Sequence, residues 1–255
     1  MVSHADRVTS KGIQRFSSSP DAQAALVCFP HAGGAASYYR PFSTALSPGI
    51  DVLAVQYPGR QNRRTEPLAR TIDQLVDDSV EALGPWAHRA LSLFGHSMGA
   101  VVAYEVARRL TAAGSPPVTL VVSGRRAPGD EQRCEVHLRD DDGLLAEIRR
   151  LGGTDMRVFE SPDMRALFLP VLRADYQAVE TYRHTEGPQL SCPVLALAGD
   201  SDPVASPAEM RHWAARTSAQ FDVLGFSGGH FYLADHSAAV ASVVSDHVIA
   251  LTART

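Results

Sequence analysis

Short apolar runs alternate with stretches of helical periodicity along this chain. The runs at residues 25–29, 52–56, 90–94, 119–123, 194–198 and 221–224 predict strands. Several are apolar throughout, as strands covered on both faces require. Between them Ile72, Leu75, Val76, Val80 and Leu83 recur at helical spacing, and Thr71 with Gln74 offers a capping box ahead of them. A second helix is expected over residues 98–110, and Val240, Val243, Val244, Val248 and Leu251 mark an amphipathic C-terminal one. Strands separated by helices imply βα units. The expected architecture is α/β, a mainly parallel central sheet with helices on both faces, in one domain over residues 1–255.

Residues 125–190 depart from this rhythm, with no convincing strand. Leu144, Leu145, Ile148 and Leu151 keep helical spacing, with Asp140, Asp141 and Asp142 ahead of them, Arg149 and Arg150 in the last turn, and Gly152–Gly153 as a stop. Ser161–Pro162 opens another helix, which Pro170 is expected to break or kink; Leu172, Tyr176 and Val179 carry a stripe beyond it. A helical insertion of this size between two strands is expected to be a mobile lid. Its apolar side chains look exposed, and Met164 and Phe168 are expected to shape a substrate pocket.

Composition narrows the classes of function. With 45% apolar and 20% charged residues the chain can bury a sizeable core, and a net charge of −4 gives no support to general nucleic-acid binding. Cys28, Cys134 and Cys192 are odd in number and lack C-x-x-C spacing, which argues against a disulfide framework or a zinc site and for the cytoplasm. Residues 1–12 show no apolar core of a secretory signal, and no run is long enough to span a membrane.

The sharpest local signal is Gly95-His96-Ser97-Met98-Gly99, a G-x-S-x-G sequence between an expected strand and an expected helix. That context is the nucleophile elbow of the α/β-hydrolase fold, in which a serine sits on a strained turn with its hydroxyl exposed. In this fold the acid and then the histidine follow the serine in the chain. Asp202, in Gly199-Asp200-Ser201-Asp202-Pro203, and His230, in Gly228-Gly229-His230-Phe231, both fall just after expected strands, at the sheet edge that carries the elbow. Asp200 is the nearest rival for the acid, while Asp130 comes late after its strand. His96 adjoins Ser97 and is expected to pack, and His212 and His247 lie in helical patterns. His137, His184 and His236 stay open as bases, whereas His31 precedes the serine and is a poor one. The loop Phe29-Pro30-His31-Ala32-Gly33-Gly34 is expected to supply the Ala32 N–H as one oxyanion donor, with the Met98 N–H as the other.

Together these residues resemble the type II thioesterases that accompany polyketide and non-ribosomal peptide synthases. The resemblance extends to Tyr57-Pro58-Gly59-Arg60 with Glu66-Pro67, Ser123-Gly124-Arg125 with Ala127-Pro128, Leu151-Gly152-Gly153-Thr154, and Leu169-Pro170 with Leu172-Arg173-Ala174-Asp175. It covers residues 26–233 in order. It implies a proofreading enzyme that clears acyl groups from the phosphopantetheine arm of acyl or peptidyl carrier proteins through an acyl-serine, and it supports Asp202 as the acid. Fused thioesterases often place the acid after the preceding strand. Arg125 in that place, and a chain beginning about 25 residues before its first expected strand, favour the free-standing type. The expectation is a cytoplasmic monomer without metal or organic cofactor. Carrier domains are acidic, so Arg60, Arg63, Arg64 and Arg70, with Arg125 and Arg126, are candidates to steer them. A carboxylesterase or lipase, and a hydrolase fold serving only as a binding module, are the alternatives.

Overall fold

The computed structural model describes residues 11–16, 22–46, 48–130 and 134–254. The expectation about a secretory segment rests on the first residues of the chain, of which 1–10 lie outside this set. In chain order the elements are β1 (Ile13–Arg15), β2 (Ala24–Phe29), α1 (Arg40–Ala45), β3 (Ile50–Val55), α2 (Ile72–Leu83), β4 (Leu91–His96), α3 (Met98–Ala112) and β5 (Leu120–Ser123). They continue with α4 (Asp141–Leu151), α5 (Pro162–Thr181), β6 (Val194–Gly199), α6 (Pro207–Met210), β7 (Phe221–Phe226), α7 (Tyr232–Asp235) and α8 (Ser237–Thr252).

The strands form one sheet in the order β1-β3-β2-β4-β5-β6-β7, with every pair parallel except β1 on β3. All six expected strands are present. The sequence pattern missed β1, because it is three residues long and only Ile13 is buried, too little to show a period. It is fastened by Arg15, whose guanidinium pairs at 2.7 Å with Asp51, a fully buried carboxylate also held by Arg89 at 2.6 Å. The strands β2 to β6 are buried throughout, whereas β7 alternates half-buried and exposed positions, as an edge strand does.

Alternation along the strands sorts the core onto two faces. Ala25, Val27 and Phe29 of β2 pack with the apolar stripes of α2 and α3. Ala24, Leu26 and Cys28 face the other way, against Phe42 of α1 and Val240, Val244 and Val248 of α8. Thr71 caps α2 as expected, accepting the Gln74 N–H at 3.2 Å, but the Gln74 side chain returns to the N–H of Arg70 rather than to that of Thr71. A full capping box forms instead at Ser206 and Glu209 of α6.

The 125–190 segment is helical, as the pattern predicts. Asp140 caps α4 by accepting the Gly143 N–H, and Gly152, at φ 77°, ends it. Two expectations are modified here. The helix α5 runs unbroken through Pro170. That residue faces solvent, where water can take up the carbonyl that lost its partner, while buried Leu169, Val171 and Leu172 hold both sides of the turn in place. Most of the apolar side chains are also covered, although Leu167 stays exposed. Val136, Leu144, Leu145, Ile148, Phe159, Leu169, Leu172 and Tyr176 form a separate small core. Among the described residues no helix is long and apolar enough to cross a membrane.

Candidate active site

From β2 the chain steps outward to β3 and then crosses back to β4 on the other side of β2, so the strand order reverses between β2 and β4. A crevice opens at the carboxyl ends of strands at such a point. Ser97 follows β4 there, and the loop from Pro30 to Gly34 follows β2.

Ser97 bridges β4 and α3 at φ 55°, ψ −120°, a conformation costing on the order of 1–3 kcal/mol that persists only where the surroundings impose it. The surroundings do so through backbone. A Cβ on Gly95 would run into the carbonyl of Gly99, and one on Gly99 would run into the carbonyl of Phe29. The Ser97 N–H donates to the Ser123 carbonyl at 2.8 Å and pins the turn to β5.

His230, from the loop after β7, places Nε2 3.0 Å from the Ser97 hydroxyl oxygen. Its Nδ1 lies 3.0 Å from both carboxylate oxygens of Asp202, from the loop after β6. An acceptor-only carboxylate there fixes the proton on Nδ1 and leaves Nε2 free to accept from the serine. Asp202 is anchored in turn by the Val204 N–H at 2.8 Å. The rival Asp200 is exposed and bonds the Gly228 N–H and the Ser201 hydroxyl, which hold its carboxyl below the usual range. The loop after β5, the other candidate place for the acid, presents Gly124 at φ 59°. A Cβ there would come within 3.2 Å of Asp202 and 2.8 Å of His96.

The other histidines find different partners. His137 bonds Glu180, His212 bonds Asp130, His236 bonds Ser227, His247 bonds Thr119, and His184 contacts Arg216. His96 packs, as expected, with its ring 4.9 Å from that of His230 and its Nδ1 2.9 Å from the Ser123 hydroxyl, which is 2.7 Å from the Tyr232 hydroxyl. His31 lies 4.9 Å from the Phe231 ring and 6.0 Å from that of His96. Burial, reinforced by the nearby His230, pushes His96 well below the ordinary imidazole range and His31 down to about 3. Both are therefore neutral, so neither repels a positive charge on His230.

Two cavities meet at Ser97. The larger, of about 370 Å³, is roofed by the insertion through Ile148, Leu151, Phe159, Phe168, Leu172 and Tyr176, and reaches His230 and Phe231. The smaller, of about 110 Å³, runs past Met98 towards Arg125, Arg126 and Arg150. Ala32 and Ser97 line both. Among the described residues no hydrogen bond takes up the N–H of Ala32 or of Met98, the first residue of α3. Two unpaired N–H groups beside the serine can receive a developing oxyanion.

Phe168 lines the larger cavity as expected, but Met164 lines neither. It sits one turn earlier in α5, about 6 Å further along the axis, beyond the cavity. The arginine stretch also needs correction. Arg60 is buried against Asp175, and Arg63 is buried between Glu66 and Asp78, so neither presents charge to a partner. Arg126 pairs with Glu209 at 2.5 Å. The sequence reading gave no role to Tyr232, Ser123 or Asp175. For Asp175 a signal existed: it interrupts the apolar stripe Leu172, Tyr176, Val179 on a buried helix face.

The sheet, the elbow and the serine–histidine–aspartate alignment make this a serine hydrolase of the α/β-hydrolase fold. Residues 24–248 match the thioesterase domain family, and the chain belongs to it. It is 48% identical to thioesterase PikA5 of Streptomyces venezuelae over 93% of this chain and 85% of that one. It is 41% identical to a probable cadicidin biosynthesis thioesterase of Streptomyces griseus, over 96% of this chain and 68% of the relative. The solved structure of the type II thioesterase BorB from the borrelidin biosynthetic cluster superposes with a TM-score of 0.85, at 41% identity, over 94% of this chain and 97% of that one.

Proposed function

We propose that this thioesterase is of the editing type, releasing acyl groups from the phosphopantetheine arm of carrier proteins in a modular polyketide or non-ribosomal peptide synthase, with Ser97, His230 and Asp202 as its triad. The observation that carries the reading is the position of Ser97 at the junction of two cavities, one apolar and wide, the other narrow and edged with arginines. A thioester on a long polar arm needs both: room for the acyl group on one side of the carbonyl, and a passage for the arm on the other.

The chemistry follows from the distances. The Ser97 oxygen attacks the thioester carbonyl while its proton passes to Nε2 of His230, 3.0 Å away. Asp202 stabilises the resulting imidazolium. The N–H groups of Ala32 and Met98 hold the oxyanion. Collapse breaks the C–S bond, and the imidazolium returns its proton to the departing sulfur; a thiol with a pKa of about 8.5 leaves readily. Water, deprotonated by His230, then attacks the acyl-serine and releases the carboxylic acid, restoring the serine. Every step uses these side chains and water alone.

The test is mass spectrometry of carrier proteins bearing different acyl groups, before and after exposure to the enzyme. Loss of the acyl mass with recovery of the free pantetheine thiol is expected, absent in Ser97→Ala. Faster cleavage of matched oxygen esters than of carrier thioesters would assign the chain to ester hydrolysis instead.

A further inference from the structure

Asp175 is a carboxylate in the wrong place for an ordinary amphipathic helix. It lies on the buried face of α5, with its side chain 1% exposed. One oxygen, Oδ2, accepts the backbone N–H of Gly33 at 2.7 Å and also pairs with the guanidinium of Arg60. Arg60 is itself buried, donates to the Pro58 carbonyl at 2.8 Å, and lies over the Tyr57 ring. Burying such a pair is costly, and a well-packed apolar pair would commonly serve stability as well or better. The location suggests another use. Gly33 follows Ala32 directly, at φ 76°, and Leu172, one turn before Asp175, packs against its open face so closely that a Cβ there would collide. The insertion helix thus holds this loop by one apolar and one charged contact, and the same helix roofs the larger cavity through Phe168, Leu172 and Tyr176.

We infer that Asp175 is a positioning residue: from the insertion helix it clamps Gly33 and so fixes the direction of the Ala32 N–H beside Ser97, while Arg60 cancels its charge. The inference rests on the reading of Ala32 as an oxyanion donor. The role of Arg60 follows from electrostatics. An uncompensated carboxylate close to an oxyanion would oppose the charge that the site must stabilise, and in a buried setting that opposition is little screened. With Arg60 in contact, Asp175 contributes its hydrogen bond without its field. The clamp also links substrate to chemistry: an acyl group that seats α5 correctly seats the donor, and one that displaces α5 misplaces it.

Two double variants separate the bond from the charge. Arg60→Met with Asp175→Asn removes both charges but keeps a side-chain oxygen for the Gly33 N–H, whereas Arg60→Met with Asp175→Leu removes that acceptor too. Turnover of a small acyl thioester is measured per serine labelled by a fluorophosphonate once labelling has run to completion, so that slower labelling does not enter and loss of folded protein cancels. The expected kcat of the leucine variant is about ten- to a hundred-fold below that of the asparagine variant, less than or close to the loss of a whole oxyanion donor, with KM little changed. Equal kcat values would overturn the clamp. Failure of the unaltered enzyme to take label on Ser97 would instead overturn the triad reading, so the two failures are distinguishable. Hydrogen exchange in the unaltered protein covers the case of a variant that does not fold. The Gly33 amide is expected to exchange far more slowly than a solvated loop amide, and exchange at loop rates would overturn the clamp by itself.

Discussion

The serine elbow and the helical insertion meet at the same cavity but are built in different ways. The elbow is backbone against backbone: Gly95 on Gly99, and Gly99 on Phe29, with no side chain between them that could yield. The insertion is side chain against side chain, a core of its own that touches the rest of the site through Leu172, Tyr176 and the Asp175 contact. A site made of abutting backbone has one geometry. A roof made of side chains can change shape by a methyl group at a time. Chemistry is therefore expected to reside in the first and substrate preference in the second.

The largest effects should come from the elbow side. Ser97→Ala and His230→Ala are each expected to lose on the order of 10⁶ in kcat, and the double variant no more than either alone, because they act as a unit. Asp202→Asn should cost about 10⁴, through the wrong histidine tautomer. Asp200→Asn should cost far less, since that carboxylate bonds Gly228 and Ser201 and not the histidine. Steady-state kinetics on one small thioester checks all of these, and an Asp200 variant worse than the Asp202 variant would reverse the assignment.

Glycine substitutions sharpen the contrast in stability. Gly99→Ala drives a Cβ into the Phe29 carbonyl and is expected to cost more than about 4 kcal/mol, the range reserved for broken cores. Gly152→Ala meets open space and carries only the penalty of its backbone conformation, φ 77° with ψ −163°, about 1–3 kcal/mol. Denaturant unfolding distinguishes the two.

On the insertion side, Phe168→Ala is expected to move acyl preference towards longer chains, with labelling of Ser97 unchanged. Met164→Ala should leave preference where it was, because Met164 lines neither cavity. Competition between acyl thioesters of graded length provides the readout. An equal shift in both variants would mean that the roof is not what selects.

A pH dependence of stability is expected as well. His31 and His96 are held neutral by burial, with folded values below the ordinary 6.5. Unfolding lets them take up protons, so their contribution is intact above about pH 6.5 and is lost as pH falls from there towards about 3, the folded value of His31. The drop in Tm between neutral pH and about pH 4 should be shallower in His31→Asn than in the unaltered protein.

What could be read from the sequence divides along the same line. Strands β2 to β7 and the elbow announce themselves locally, since apolar runs and G-x-S-x-G are contiguous, and the order serine, aspartate, histidine is a property of the fold. The partnership of Arg60 with Asp175 spans 115 residues, and no local pattern tells a buried arginine from one that greets a carrier protein. The same limit hid the separate core of the insertion, whose apolar residues look exposed until Val136, Phe159 and Leu169 are seen to cover one another. Pro170 does not break its helix, for a different reason. Propensity describes an isolated helix, and packing on both sides of the proline prevailed here.

Peptide mapping after reaction with a fluorophosphonate probes the central assignment most directly, because the reagent needs an activated serine and an oxyanion site together. One equivalent of label on Ser97, lost in His230→Ala and slowed in Asp202→Asn, is the expected result. Label on any other side chain, or none on the folded protein, would contradict it.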